Sequence, residues 1–255
     1  MTERQANPSN MKLVRTQTST TTFSRAYLER AWSDRARLNA MERRGFAVFF
    51  YMTITAHLEA CIVEVISSRI DSSRWAIRHM PEQTGTLSDD SDAKGIALRP
   101  FHDALASLLR GIARRIEKAA LDSLIDLFKE VFARDLVAVL GDGYQDLIAL
   151  SRIRNVFAHG RQYVLHFGPE DENLLTLEGS PLEEAAKRLR GAGVIKSLAI
   201  EGTDHEEFTQ TLFSDEALLY FLGRARMIEA SLKAMVPFEA EHGPPLMVSL
   251  PELNA

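Results

Sequence analysis

A single cysteine, Cys61, stands in this chain of 255 residues, so no intrachain disulfide can form. A reducing, cytoplasmic setting fits that usage best. The sequence has no Cys/His cluster and no His-Glu-x-x-His run, which argues against structural or catalytic zinc. No glycine-rich phosphate loop is present either, and no metal or cofactor is expected. The N-terminus is polar and lacks the apolar core of a secretory leader. The most apolar stretch, Phe46 to Ile70, is interrupted by His57, Glu59 and Glu64, so it reads as a core helix and not a membrane span. An excess of positive charge is also missing. Thirty Lys and Arg against 35 Asp and Glu leave a net charge of −5, and a nucleic-acid partner would need local basic patches to overcome it.

What is present is the composition of a globular protein, with 45% hydrophobic and 25% charged residues, enough for one large domain or two small ones. Residues 1–22 are polar and rich in Thr, Ser and Gln, the composition of a disordered arm. Ser24 suits the cap of a helix starting near Arg25. Gly45 marks a kink or break before the Phe46–Ile70 helix. Phe49, Phe50, Ile54, Leu58, Cys61, Ile62, Val65 and Ile66 recur there at helical spacing. Residues 81–95 have loop composition. A helix is expected from Pro100, with Leu105, Leu109 and Ile112 on its apolar side. Another is expected over Leu121 to Leu140, stopped by Gly141-Asp142-Gly143. A further helix follows over Tyr144 to Ala158.

Beyond Gly160 the period shortens toward two. Tyr163 to Phe167, Asn173 to Leu177, Val194 to Ile200 and Phe208 to Phe213 read as strands around a short helix at Pro181 to Arg190. Ser214 then opens an amphipathic helix over Ala217 to Val236. The expected fold is mainly α. Residues 23–160 together with 214–238 form a helical bundle, 161–213 a small β-rich α+β insertion after the motif helix, and 239–255 an irregular tail.

Chemistry concentrates in Arg152-Ile153-Arg154-Asn155-Val156-Phe157-Ala158-His159-Gly160. The bare spacing of Arg, four residues and His occurs three times, at Arg74/His79, Arg154/His159 and Arg161/His166, so spacing alone selects nothing. Context singles out the middle copy, where Asn155 follows the Arg and Phe157-Ala158 precede the His. A histidine near its ordinary pKa moves protons at neutral pH. An arginine stays charged and grips phosphate oxygens in pairs. RNA cleavage without a metal needs those functions: a base for the 2′-OH, an acid for the leaving 5′-oxygen, and a cation for the phosphorane charge.

This stretch resembles the signature of HEPN (higher eukaryote and prokaryote nucleotide-binding) domains, which often carry Arg-Asn-x-x-Ala-His on a late helix of a compact bundle. The run Ala56-His57-Leu58-Glu59-Ala60 is similar to the earlier family helix that places a polar or acidic residue opposite the motif. In pattern the resemblance covers residues 24–160, and the nine residues are its specific part. It implies a metal-independent endoribonuclease, RNA as substrate, a homodimer, and a toxin or antiviral defence effector restrained by an antitoxin or regulatory protein. Arg154 and His159 would be the catalytic pair and Asn155 their support. Other HEPN proteins bind nucleotides or protein partners without catalysis, and that is the alternative expectation. A purely structural helical protein is the third.

Glu59 has a further reading as a salt-bridge partner that orients Arg154, because a buried charge needs a counter-charge. Arg152 and Arg161 add candidate phosphate contacts. Geometry sets a condition, since positions five apart on a regular helix point about 140° away from each other. Either the helix ends near Ala158 and lets His159 swing round, or a symmetric dimer brings two motifs together.

Overall fold

The computed structural model describes residues 20–83, 91–116, 119–159, 166–167, 174–176, 180–195, 199–201, 211–236 and 249–253. The fold is mainly helical. Its helices are α1 (Thr20–Asp34), α2 (Ala40–Gln83), α3 (Ser91–Ile116), α4 (Leu121–Phe132), α5 (Leu136–Leu140), α6 (Gly143–Ala158), α7 (Glu183–Gly191) and α8 (Asp215–Lys233). A 3-10 turn, Arg35–Arg37, joins α1 to α2.

Helix α2 is the spine, packing against α1, α3, α4, α6 and α8. It starts at a reciprocal cap. The Asn39 amide donates to Glu42 Oε2 at 2.8 Å, and the Glu42 amide donates to Asn39 Oδ1 at 3.0 Å, satisfying two donors that a helix start leaves open. The expected break at Gly45 is corrected, because the helix runs through it and a Cβ there would meet open space. Phe50, Tyr51, Ile54, Leu58, Ile62 and Ile66 are fully buried. They face Leu147, Leu150 and Ile153 of α6 and Phe221, Leu222 and Ile228 of α8, all in one core cluster. Tyr51 also donates its hydroxyl to the Leu212 carbonyl at 2.7 Å, fixing the chain just before α8. The thiol of Cys61 lies in the same core, where burial pushes it up to about 12. By length and composition Ala40–Ser73 is apolar enough to cross a membrane, and just over half of that window is buried inside the protein.

Several expected boundaries move. α1 begins at Thr20, upstream of the cap foreseen at Ser24, so residues 20–22 belong to a helix and not to the arm. α2 extends to Gln83 and α3 starts at Ser91, so residues 81–83 and 91–95 of the expected loop are helical, and 84–90 lie outside the described residues. Pro100 therefore lies within α3 and not at its first turn. The single helix expected over Leu121 to Leu140 is two, because Ala133 adopts a left-handed φ of 50° that ends α4. Lys129 reaches across this corner to Asp135 at 2.8 Å. Gly141, with φ of 54°, ends α5 as expected. Ser214 caps α8, its side chain accepting from the Ala217 amide at 3.2 Å.

Among the described residues, the segment between α6 and α8 is not β-rich. Three short antiparallel strands, β1 (His166–Phe167), β2 (Leu174–Thr176) and β3 (Ala199–Glu201), pair in the order β1-β2-β3. Phe167 is opposite Leu175, and Leu175 opposite Ile200. The end of the expected Phe208–Phe213 strand is helical at Thr211 and Leu212, leading into the Ser214 cap. The best-packed part of the segment is helix α7, which lies on α6 through buried Ala185, Ala186 and Leu189.

An ionic network ties α7 to the bundle. Asp146, fully buried on α6, accepts from Arg188 Nε of α7 at 2.7 Å, from Arg188 Nη2 at 3.0 Å and from the Tyr220 hydroxyl of α8 at 3.1 Å. Arg224 of α8 donates to it as well. Asp142 at the rim accepts from Nη1 and Nη2 of Arg188 and from Nη2 of Arg224. Its carboxyl is lowered by the hydrogen bonds and charge of Arg188, and the guanidinium of Arg188 is raised by its hydrogen bonds to Asp146 and Asp142.

Candidate functional site

The C-terminal half of α6 carries the motif. Ile153 and Val156 are buried in the core, so Arg152, Arg154 and Asn155 fall on the side that reaches solvent. Helix α6 ends at Ala158. His159 is its C-terminal cap, with φ of −102° and ψ of 3°, and its amide donates to the Asn155 carbonyl at 3.2 Å. The helix ends at Ala158, where the first of the two ways to reconcile the five-residue spacing places its end.

Arg152, Arg154, Asn155 and His159 line one groove of about 750 Å³. Met52 of α2 and Ile148 of α6 contribute apolar lining, and Leu121 and Asp122 line it at the start of α4. The side chains of Arg152, Asn155 and His159 have no hydrogen-bond or ion-pair partner among the described residues. A groove lined by such a guanidinium and such an imidazole has the chemistry to hold an anion and to move a proton.

Arg154 is held from behind. Its Nη1 donates to Glu59 Oε2 at 3.1 Å, and the side chains keep 24% and 19% of their exposure. The contact is single-pointed: Arg154 Nε and Glu59 Oε1 are buried without partners. Burial raises the Glu59 carboxyl above its ordinary 4.5, against the opposing charge and hydrogen bond of Arg154. The ion pair read from sequence thus exists, and it is electrostatically costly for the glutamate.

A pH dependence follows from the sign of that shift. A carboxyl raised in the folded protein favours folding below the ordinary glutamate value, and the gain is lost as pH rises through the folded pKa. Glu59→Gln is therefore expected to match the wild type near pH 4 and to melt at a higher temperature than it at pH 7 to 8. Activity at the groove is expected to fall roughly 10²-fold, because Arg154 loses the charge that aims it. Thermal melts across pH check the first point; a wild type that gains on the Gln variant as pH rises would contradict it.

Other expected residues lie elsewhere. His57 shares α2 with Glu59 but faces inward, 1% exposed, with Nε2 3.4 Å from Glu229 Oε2. Burial alone would raise the Glu229 carboxyl, yet His57, the Leu250 amide and Lys233 hold it down to about 2. Arg161 lies outside the described residues. Among the described residues no group of three His, Cys, Asp or Glu side chains is placed to hold a metal ion.

Sequence reasoning missed two features. Asp146 carries no local signal, since its arginine partners are 42 and 78 residues away. Asp122 stands in the first turn of α4, and nothing in its own spacing points to α6. Comparison of the chain with family models, with curated proteins and with solved structures gives no match.

Proposed function

We propose that the protein is a metal-independent endoribonuclease of HEPN type that acts as a homodimer. The observation that supports this most is the convergence of Arg154, Asn155 and His159, with Arg152, on one groove. In this reading the two guanidinium groups hold the scissile phosphate and stabilise the phosphorane charge. A neutral imidazole takes the proton of the 2′-OH as that oxygen attacks phosphorus. The P–O5′ bond breaks, and an imidazolium returns a proton to the leaving oxygen. The products are a 2′,3′-cyclic phosphate and a 5′-hydroxyl. Asn155 steadies His159, and Glu59 positions Arg154.

The groove offers one histidine per chain for two proton transfers, which is why the reading includes a second copy. Support comes from exposed apolar side chains on α2, the helix whose Met52 lines the groove. Met41, 83% exposed, and Phe49, 41% exposed, lie on α2 upstream of Met52 at the groove edge, and Tyr27 packs on Phe49 with ring centroids 4.5 Å apart. Large apolar side chains left in water along one helix face mark an association surface. Light scattering is expected to give twice the chain mass of 28.6 kDa at micromolar concentration. The double variant Met41→Glu/Phe49→Glu is expected to be a folded monomer with cleavage reduced on the order of 10²-fold. A monomeric wild type that cleaves at full rate would remove the dimer from the proposal.

The setting consistent with this chemistry is a cytoplasmic toxin or antiviral effector, restrained by an antitoxin or regulatory protein. The direct test of function is RNA bearing a 2′-deoxy sugar at a mapped cut. It is expected to resist cleavage there, and cutting at the deoxy site would exclude attack by the 2′-oxygen. Retained nucleotide binding in a protein that never cleaves would favour the non-catalytic HEPN module.

A further inference from the structure

The groove is sorted by charge. Arg152, Arg154 and His159 line it from α6, Met52, Ile148 and Leu121 give it apolar surface, and Asp122 at the start of α4 brings one carboxylate. Asp122 is exposed and has no hydrogen-bond or ion-pair partner among the described residues. A carboxylate in the first turn of a helix is favourable anywhere. One that lines an anion-binding groove also repels phosphate, unless the ligand brings hydrogen-bond donors to it.

We propose that Asp122 makes this groove selective for an unpaired guanosine in single-stranded RNA, an inference that rests on reading the groove as an RNA site. A phosphate held by Arg152 and Arg154 leaves the attached base free to lie over the Met52, Ile148 and Leu121 surface. Its Watson–Crick edge then meets Asp122. Guanine presents two adjacent donors there, N1–H and N2–H, which fit the two acceptor oxygens of one ionised carboxylate. Adenine and cytosine each present one amino donor beside a ring nitrogen lone pair, and uracil presents one N–H between two carbonyl oxygens. Each of these puts an acceptor against the carboxylate. A base in a duplex has this edge occupied, so the RNA must be unpaired at this position. The groove volume of about 750 Å³ is room enough for one nucleotide.

The experiment uses the full-length protein and the four nucleoside 5′-monophosphates as probes in calorimetric titration, with cut sites in a random-sequence RNA mapped in parallel. Wild type is expected to bind GMP about tenfold or more tightly than AMP, CMP or UMP, and to cut next to unpaired guanosine. Asp122→Asn keeps the shape but pairs an oxygen acceptor with an N–H donor. It is expected to lose the guanine preference and to favour adenine or cytosine. Equal affinity of the wild type for all four bases, or a preference unchanged in Asp122→Asn, would overturn the assignment. RNA cut without base preference removes Asp122's role and leaves the nuclease reading standing. Guanine-selective binding without cleavage does the reverse. No binding of any monophosphate at millimolar concentration removes both.

Discussion

His159→Ala is expected to lower RNA cleavage by 10²- to 10⁴-fold, the range that a positioned proton-transfer group contributes, while the melting temperature stays within a degree or so of wild type. The reason for the split is location. His159 is exposed at the cap of α6, where it is held through its backbone amide, and its side chain has no hydrogen-bond partner among the described residues. Alanine keeps that amide. The loss of rate therefore cannot be traced to unfolding. Cleavage and differential scanning calorimetry on the same preparation check both halves. A His159→Ala protein that cleaves at the wild-type rate would remove the histidine from the chemistry.

Asp146→Ala is expected to have the opposite profile, a large loss of stability that precedes any effect on chemistry. Its carboxylate is fully buried and accepts from Arg188, Arg224 and Tyr220. Removing it strands two guanidinium groups whose other partner, Asp142, is 75% exposed. Breaking one side of such a buried pair costs about 3–5 kcal/mol, which in a chain of this size corresponds to a fall of roughly 6 to 20 °C in melting temperature. Asp142→Ala, at the wet rim, is expected to change it little. Hydrogen exchange should show the loss first in α7, because the network and the apolar seam of Ala185, Ala186 and Leu189 are what hold α7 to α6. An Asp146→Ala protein as stable as wild type would mean that the seam alone suffices.

The helical part of the fold was legible in the chain because its signal is local. Apolar residues at helical spacing gave α2, α4, α6 and α8, and the Gly141 stop and Ser214 cap lie where their chemistry requires. The failures have equally definite causes. Gly45 and Pro100 are breakers by propensity, yet the helices run through both. At Gly45 the backbone is on the exposed side of a helix already anchored by the Asn39/Glu42 cap, and propensity yields to packing. Ala133 ends α4 in a conformation that favours glycine, so no residue type announced the corner. The alternation after Gly160 corresponds, among the described residues, to three short strands, because period-two spacing marks a strand's existence better than its length. At the site, Arg154, Asn155, His159 and the Glu59 partner were readable from a motif and from the need of a buried charge for a counter-charge. Asp122 and the Asp146 network were not, because their neighbours come from distant helices and tertiary proximity leaves no mark on local spacing.

In the proposed mechanism the guanidinium of Arg154 and the imidazole of His159 act on one phosphodiester without a metal. Single-turnover cleavage of a labelled RNA in excess EDTA, followed by analysis of the new ends, tests it most directly. The predicted result is undiminished cutting by wild type that leaves a 2′,3′-cyclic phosphate and a 5′-hydroxyl. Arg154→Ala should be slower by roughly 10²- to 10³-fold, and His159→Ala slower still. Cutting that stops in EDTA, or that leaves a 5′-phosphate, would contradict the claim.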